Sequence, residues 1–251
     1  RTTPHQAGEP APGRRGDKTA PGRWPQSRAM GTLYLVRHGQ ASFGADNYDQ
    51  LSPLGVQQCT QLGRYFATKG RRFAAVLTGT LQRQIQSYDA LAAGLGQRQP
   101  TLQLPGLNEY DSHAVIAAIH PQPLPKADTP EAYRQHFRIL RDGLAAWMAG
   151  RTQPQGMPGY VDFVAGIHDA LARVRAVTDG DVLVVSSGGP ISTVVAQVLG
   201  APAETSIDLN LRIRNSAVSE FAVNPKRLAL VTFNTLPHLN SAEHAGWVTH
   251  T

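Results

Sequence analysis

Short apolar runs alternating with helix-spaced segments predict an α/β fold: a three-layer sandwich around a mostly parallel central sheet. Three observations carry this. Strand-like runs recur at 32–36 ("TLYLV"), 73–79 ("FAAVLTG"), 101–104 ("TLQL") and 181–187 ("DVLVVSS"). Between them, apolar residues return at helical spacing, bounded by Pro and Gly. The chain has 251 residues and is 41% hydrophobic, enough for one large domain or two small ones.

The elements follow in order. The run at 32–36 reads as a central strand. Ser52-Pro53 opens a helix with proline at its first position, and Leu54, Gln58, Leu62 and Phe66 follow before Gly70 stops it. The strand at 73–79 leads to a helix over 81–96, with Leu81, Ile85, Tyr88, Leu91 and Leu95 on one side. Residues 105–128 are rich in Pro and His and read as an irregular loop or lid. Thr129-Pro130-Glu131 opens a helix running to about Ala149, and a Gly/Pro/Gln linker covers 150–159. Residues 105–160 thus form a helical and loop insertion. A helix over 160–178 precedes the strand at 181–187, and Gly188-Gly189-Pro190 turns that strand into a helix over 190–199. Strands near 216–223 and 228–233 read as an antiparallel pair joined at Asn224-Pro225-Lys226-Arg227.

The ends stand apart. Residues 1–30 hold six basic side chains against two acidic ones, with much Pro and Gly, and read as a disordered tail. Met30 before "GTLYLV" reads as a natural start, so this tail is either upstream sequence or a basic arm. It holds most of the net charge of +6, which argues against nucleic acid as a partner of the remainder. The domain is expected over 31–240, with a polar tail at 241–251. No stretch is long and apolar enough for a membrane span, and no apolar leader segment is present. The single cysteine, Cys59, excludes an internal disulfide and a cysteine-rich metal site. A cytoplasmic setting fits.

The stretch "LYLVRHGQAS" (33–42) poses the functional question, because it sets Arg37 and His38 at the tip of a buried strand. A buried charge needs a partner. In open α/β sheets, ligands bind beyond the carboxyl ends of the strands. Arg37 and His38 follow the first strand, Arg83 lies in the first turn after the second, and Glu109 follows the third. Ser186, Ser187, Gly188 and Gly189 follow the late strand. Two guanidinium groups and a helix N-terminus suit a phosphate. On this reading the partner of Arg37 is an anion, His38 is a nucleophile and Glu109 a general acid and base. No metal or cofactor is called for.

"LVRHGQ" resembles the Arg-His-Gly signature of the histidine phosphatase superfamily, which includes cofactor-dependent phosphoglycerate mutases. The resemblance covers about 31–240. "TGTLQRQIQS" (78–87) is similar to the segment carrying the second phosphate-binding arginine, here Arg83. "LNEYD" (107–111) resembles the segment of the proton donor, here Glu109. "VLVVSSGGPIS" (182–192) resembles the last motif, a strand followed by His-Gly-Gly, and assigns Ser187 and Gly188 to phosphate binding. Ser187 stands where the family has its second histidine, and Gly44 where many relatives carry asparagine. Losing one such donor costs roughly 10²–10³ in rate. His113 is a candidate substitute.

The resemblance implies a metal-independent phosphomonoesterase acting through phosphohistidine on a small phosphorylated metabolite or a phosphoprotein. A mutase fits less well, since no extra basic loop for a second phosphate is evident. The alternative is a catalytically weak or inactive phosphate-binding member of the same fold. Read singly, the residues keep blander roles. Arg37-His38 alone could be a solvated strand end, Arg83 a helix-surface cation and Glu109 a loop carboxylate. Ser187 lacks the Gly-x-Ser-x-Gly elbow of a serine nucleophile. Cys59 reads as packed and inert. His113, His120, His136 and His168 show no metal-ligand spacing, and the three histidines of "HLNSAEHAGWVTH" (238–250) read as part of a polar tail.

Overall fold

The computed structural model describes residues 31–42, 49–125, 129–177 and 179–250. Readings that fall on residues 1–30 and on Gly44 lie outside them. Six strands form one sheet in the order β3-β2-β4-β1-β5-β6. They are β1 (Gly31–Arg37), β2 (Phe73–Thr78), β3 (Leu102–Gln103), β4 (Asp181–Ser186), β5 (Val218–Val223) and β6 (Leu228–Thr235). The first four run parallel, and β5 pairs antiparallel with β1 and β6.

Alternation along the central strands builds the layers. Tyr34 and Val36 of β1, Val76 of β2, and Leu183 and Val185 of β4 face one side. There they meet Leu62 and Phe66 of α1 (Pro53–Thr68) and Tyr88, Leu91 and Leu95 of α2 (Gln82–Leu95). Leu33, Leu35, Leu77, Val182 and Val184 point to the other side. That side is closed by α4 (Pro130–Met148), α5 (Tyr160–Arg175) and α6 (Gly188–Val198), through Leu144, Trp147, Ile167, Leu171, Ile191 and Val194. Each fully buried Leu, Phe or Ile here is worth about 1.5–3 kcal/mol.

Local chemistry fixes the helix starts. Ser52 Oγ accepts from Gly55 N at 3.0 Å, and Thr129 Oγ1 accepts from Ala132 N at 3.2 Å, each with proline next in the chain. Gly70 ends α1 with φ +61°, a conformation that costs glycine little. Helices α1 and α2 touch backbone to backbone, because a Cβ on Gly63 would lie 2.0 Å from the Leu91 carbonyl oxygen.

Several expectations need correction. The segment after β3 is not irregular throughout: Pro105–Leu107 form a 3-10 turn, and Ser112–Ala117 form helix α3, capped by the Asp111 carboxylate. Strand β3 has two residues, not four. The buried face of α2 begins with Arg83, Gln84 and Ser87, while Leu81 and Ile85 are only half-buried. Apolar spacing missed this because the first turn faces a polar rim, not the core. Helix α6 starts at Gly188, two residues early, and α7 (Thr205–Asn210) was not foreseen. Residues 241–251, read as a tail, include a 3-10 helix at Ala242–Trp247, and the segment after it returns to the sheet rim. No described helix is long and apolar enough to cross a membrane.

Candidate active site

Because β1, β2 and β4 are parallel, their carboxyl ends share one rim. Arg37 lies beside Ser186 and Thr78 beside Val185 in the sheet register. The chain then turns off each strand at that rim, and the next side chains along it converge.

His38 is buried, with 3% of its surface exposed. Its Nδ1 is 2.7 Å from the Gly39 carbonyl oxygen, which can only accept, so Nδ1 carries the proton. Arg83 Nε, which can only donate, points at His38 Nε2 from 3.3 Å. Both partners thus select the neutral tautomer with its lone pair on Nε2. Burial, then the charges of Arg37 and Arg83, push the His38 pKa well below the usual histidine value. The imidazole is therefore an unprotonated base at neutral pH, with Nε2 turned towards a guanidinium.

Arg83 is also buried, at the start of α2, and its Nη1 donates to Asp49 Oδ1 at 2.7 Å. Asp49 further accepts from the Gln82 backbone N–H at 2.8 Å, which ties the carboxylate to the N-terminus of α2. Arg37 sits differently from expectation. Its Nη1 donates to the carbonyl oxygens of Ile213 at 2.6 Å and His250 at 2.9 Å. A partner sought only as an anion overlooked two backbone acceptors more than 170 positions away in sequence.

Glu109 lies in the turn between Leu107 and α3. Both its oxygens accept from the Gly189 N–H at 3.1 Å, so its carboxyl caps α6. Burial raises its pKa, opposed by the Gly189 N–H and by the charges of Arg83 and Arg37. Both arginines are thus electrostatic neighbours of His38 and Glu109 alike. A Cβ on Gly189 would lie 2.1 Å from Glu109 Oε1, so the contact requires glycine there.

Ser187 is fully buried, and its Oγ accepts from Gln84 Nε2 at 2.8 Å. The same amide nitrogen donates to the Leu107 carbonyl oxygen at 2.8 Å, to which the Ser186 hydroxyl also donates. Ser187 therefore joins α6 to α2. Gly188 begins α6, where a Cβ would strike Asn210 Oδ1 at 2.0 Å. His113 is highly exposed, and its Nδ1 lies 3.8 Å from the Asp111 carboxylate on the outer side of α3, so the structure does not seat it as the substitute donor.

Several residues of this site gave no signal in the sequence. They include Asp49, Gln84 and Asn215, which are common polar types, while Gln58 was legible only as part of the helical spacing of α1. Asn215 Nδ2 and the Ser216 N–H both donate to the His38 carbonyl oxygen, at 3.4 and 3.1 Å. Ser216 adopts φ +55°, strained for a non-glycine residue. Its hydroxyl bonds to His238 Nε2 at 2.9 Å, and burial lowers the His238 pKa to about 3. Burial also pushes the Cys59 thiol up to about 11, leaving it a poor nucleophile. Among the described residues, no group of three or more His, Cys, Asp or Glu is placed to hold a metal ion.

Comparison with known proteins agrees with this architecture. Residues 33–236 match the family model described as Histidine phosphatase superfamily (branch 1). Among solved structures, mycobacterial hydrolase 2 is 21% identical, with a TM-score of 0.59, covering 86% of this chain and 95% of its own. The α-ribazole phosphatase of Shigella flexneri is 20% identical, with a TM-score of 0.56, covering 81% of this chain and 96% of its own. The phosphoserine phosphatase of Entamoeba histolytica, solved with 3-phosphoglyceric acid, is 18% identical, with a TM-score of 0.57, covering 84% and 100%. At these identities the likeness establishes the shared fold. No curated protein sequence matches the chain.

Proposed function

We propose that this chain, which belongs to the histidine phosphatase superfamily (branch 1), hydrolyses phosphomonoesters through a phosphohistidine at His38. The observation that carries the reading is the bonding of the imidazole. Nδ1–H is held by the Gly39 carbonyl, and the Nε2 lone pair lies 3.3 Å from the Arg83 Nε. A phosphoryl group attacked by Nε2 would meet that guanidinium at once.

In the first half-reaction, Nε2 bonds to phosphorus as the ester P–O bond breaks. The carboxyl of Glu109 gives its proton to the leaving oxygen. Its raised pKa favours the protonated form that this step needs. Arg37 and Arg83 offset charge on the phosphoryl oxygens. In the second half, Glu109 takes a proton from water, the water oxygen bonds to phosphorus and the P–N bond breaks. Phosphate leaves and neutral His38 is restored. The two guanidinium groups supply the charge that a metal would otherwise bring.

Small phosphorylated metabolites and phosphoproteins are the substrate classes. The phosphoserine and α-ribazole phosphatases of the same fold support a small phosphorylated molecule. One observation favours a second reading, phosphate binding with little turnover: Ser187, at the place of the family's second histidine, is buried against Gln84.

Single-turnover phosphate release from an aryl phosphate, measured beside His38→Ala, tests the proposal. Release in the parent, with phosphate trapped on the protein and none in the variant, is expected. Phosphate binding without release at any pH from 5 to 8 would overturn the hydrolase reading in favour of the binding one.

A further inference from the structure

The sequence offers no role for the segment after Gly246, yet in the fold it reaches the loop that carries His38. Gln58 Nε2 donates to the Trp247 carbonyl oxygen at 2.7 Å and to Thr249 Oγ1 at 3.0 Å. The Thr249 hydroxyl in turn donates to Asn215 Oδ1 at 2.9 Å, and the Asn215 N–H donates to the Thr249 carbonyl oxygen at 2.9 Å. The His250 carbonyl oxygen accepts from Arg37 Nη1 at 2.9 Å.

Each of these partners continues into the Arg37–Gln40 loop. Arg37 is reached directly. The His38 carbonyl oxygen receives Asn215 Nδ2. The Gln40 N–H donates to Gln58 Oε1 at 2.9 Å. Three residues of the loop are thus tied to one short segment, either directly or through one buried amide side chain. Gln58 and Asn215 have no measurable exposure, so these amides depend on protein partners and not on water. The Thr249 side chain bonds to both.

We propose that Trp247–His250 is a positioning strap for the nucleophile loop, with the Thr249 hydroxyl as the joint that fixes Gln58 and Asn215 and, through them, Gln40 and His38. This rests on the phosphatase reading for its kinetic consequence. The strap touches no reacting atom. It sets the direction of the Arg37 guanidinium and the height of the His38 carbonyl, and hence where Nε2 points. A displacement near 1 Å in such a group can cost about 10² in rate.

Thr249→Val keeps the shape and removes the hydroxyl, and Thr249→Ser restores it. The expected result for Thr249→Val is a kcat/KM lower by about 10–100-fold, with weaker inhibition by inorganic phosphate. Thr249→Ser is expected to return both towards the parent, together with the melting temperature that Thr249→Val loses by leaving the buried Gln58 and Asn215 amides each one partner short. The ¹⁵N signals of the His38 imidazole, assigned with His38→Gln, give a readout that needs no turnover. Thr249→Val should disturb the Nδ1–H tautomer signal, and Thr249→Ser should not. Parent-like kinetics and imidazole signals in Thr249→Val would overturn the proposal. So would a rise in activity, which would make the segment an obstruction. If the parent neither cleaves esters nor binds phosphate, the phosphatase reading fails, and the imidazole signals alone decide the strap.

Discussion

Substituting alanine for Gly189 tests how Glu109 acts. The added Cβ would lie 2.1 Å from Glu109 Oε1 and 2.8–2.9 Å from the Tyr110 ring. An ordinary contact of this kind needs at least 3.4 Å. The carboxyl must therefore retreat by more than an ångström, because the Tyr110 ring is itself held, its hydroxyl accepting from Asn210 Nδ2 at 2.7 Å. That retreat breaks both 3.1 Å bonds from the Gly189 N–H. Leaving the buried Gly189 N–H without its partner costs about 1–3 kcal/mol, while alanine for glycine in a helix returns about 1 kcal/mol. The net loss of stability is at most about 2 kcal/mol, and the variant should fold. Its chemistry should suffer more. A displaced general acid forfeits about 10²–10⁴ in rate, but only where the leaving oxygen needs a proton. The assay is kcat/KM for a series of phosphate esters, from p-nitrophenyl to simple alkyl. Gly189→Ala should cleave the activated ester almost as the parent does and lose about two orders of magnitude or more on alkyl esters. Equal losses across the series, or none, would refute Glu109 as the proton donor.

Buried polar groups give two further outcomes. Gln84→Leu keeps the volume but removes the amide that joins the Ser187 hydroxyl, the Leu107 carbonyl and the Leu81 N–H. Chemical denaturation should show a loss of about 2–3 kcal/mol, and a loss below about 0.5 kcal/mol would refute the amide as a cross-link. Acid should also destabilise the fold through its buried histidines. The His38 and His238 pKa values are depressed by burial, His238 to about 3, so the unfolded chain binds protons that the native state refuses. Their contribution is intact above about pH 6.5 and is lost as pH falls below it, for His238 by about 2 kcal/mol at pH 5. Glu109 works in the opposite sense, since its raised pKa favours the fold at low pH and disfavours it as pH rises through the raised value. His238→Gln should therefore flatten the fall in stability between pH 7 and pH 5, and an unchanged slope would refute the assignment.

The sequence by itself determined the layered α/β class and the strands β1, β2 and β4, because buried parallel strands need apolar runs and the connecting helices need apolar stripes. It also placed His38, Arg83 and Glu109 on one rim, since parallel strands deliver their succeeding residues to the same end of the sheet. It misread α2 at Leu81 and Ile85 because apolar periodicity reports the core and is silent where a helix turns a polar face to a site. Only the tertiary structure decided what holds the candidate catalytic groups. Arg37 rests on the carbonyls of Ile213 and His250, Glu109 caps α6 at Gly189, and Gln84 holds Ser187. Backbone carbonyls occur at every residue and buried amides leave no periodic trace. The physical reason is distance along the chain: a hydrogen bond between positions 37 and 250 exists only once the fold has brought them together.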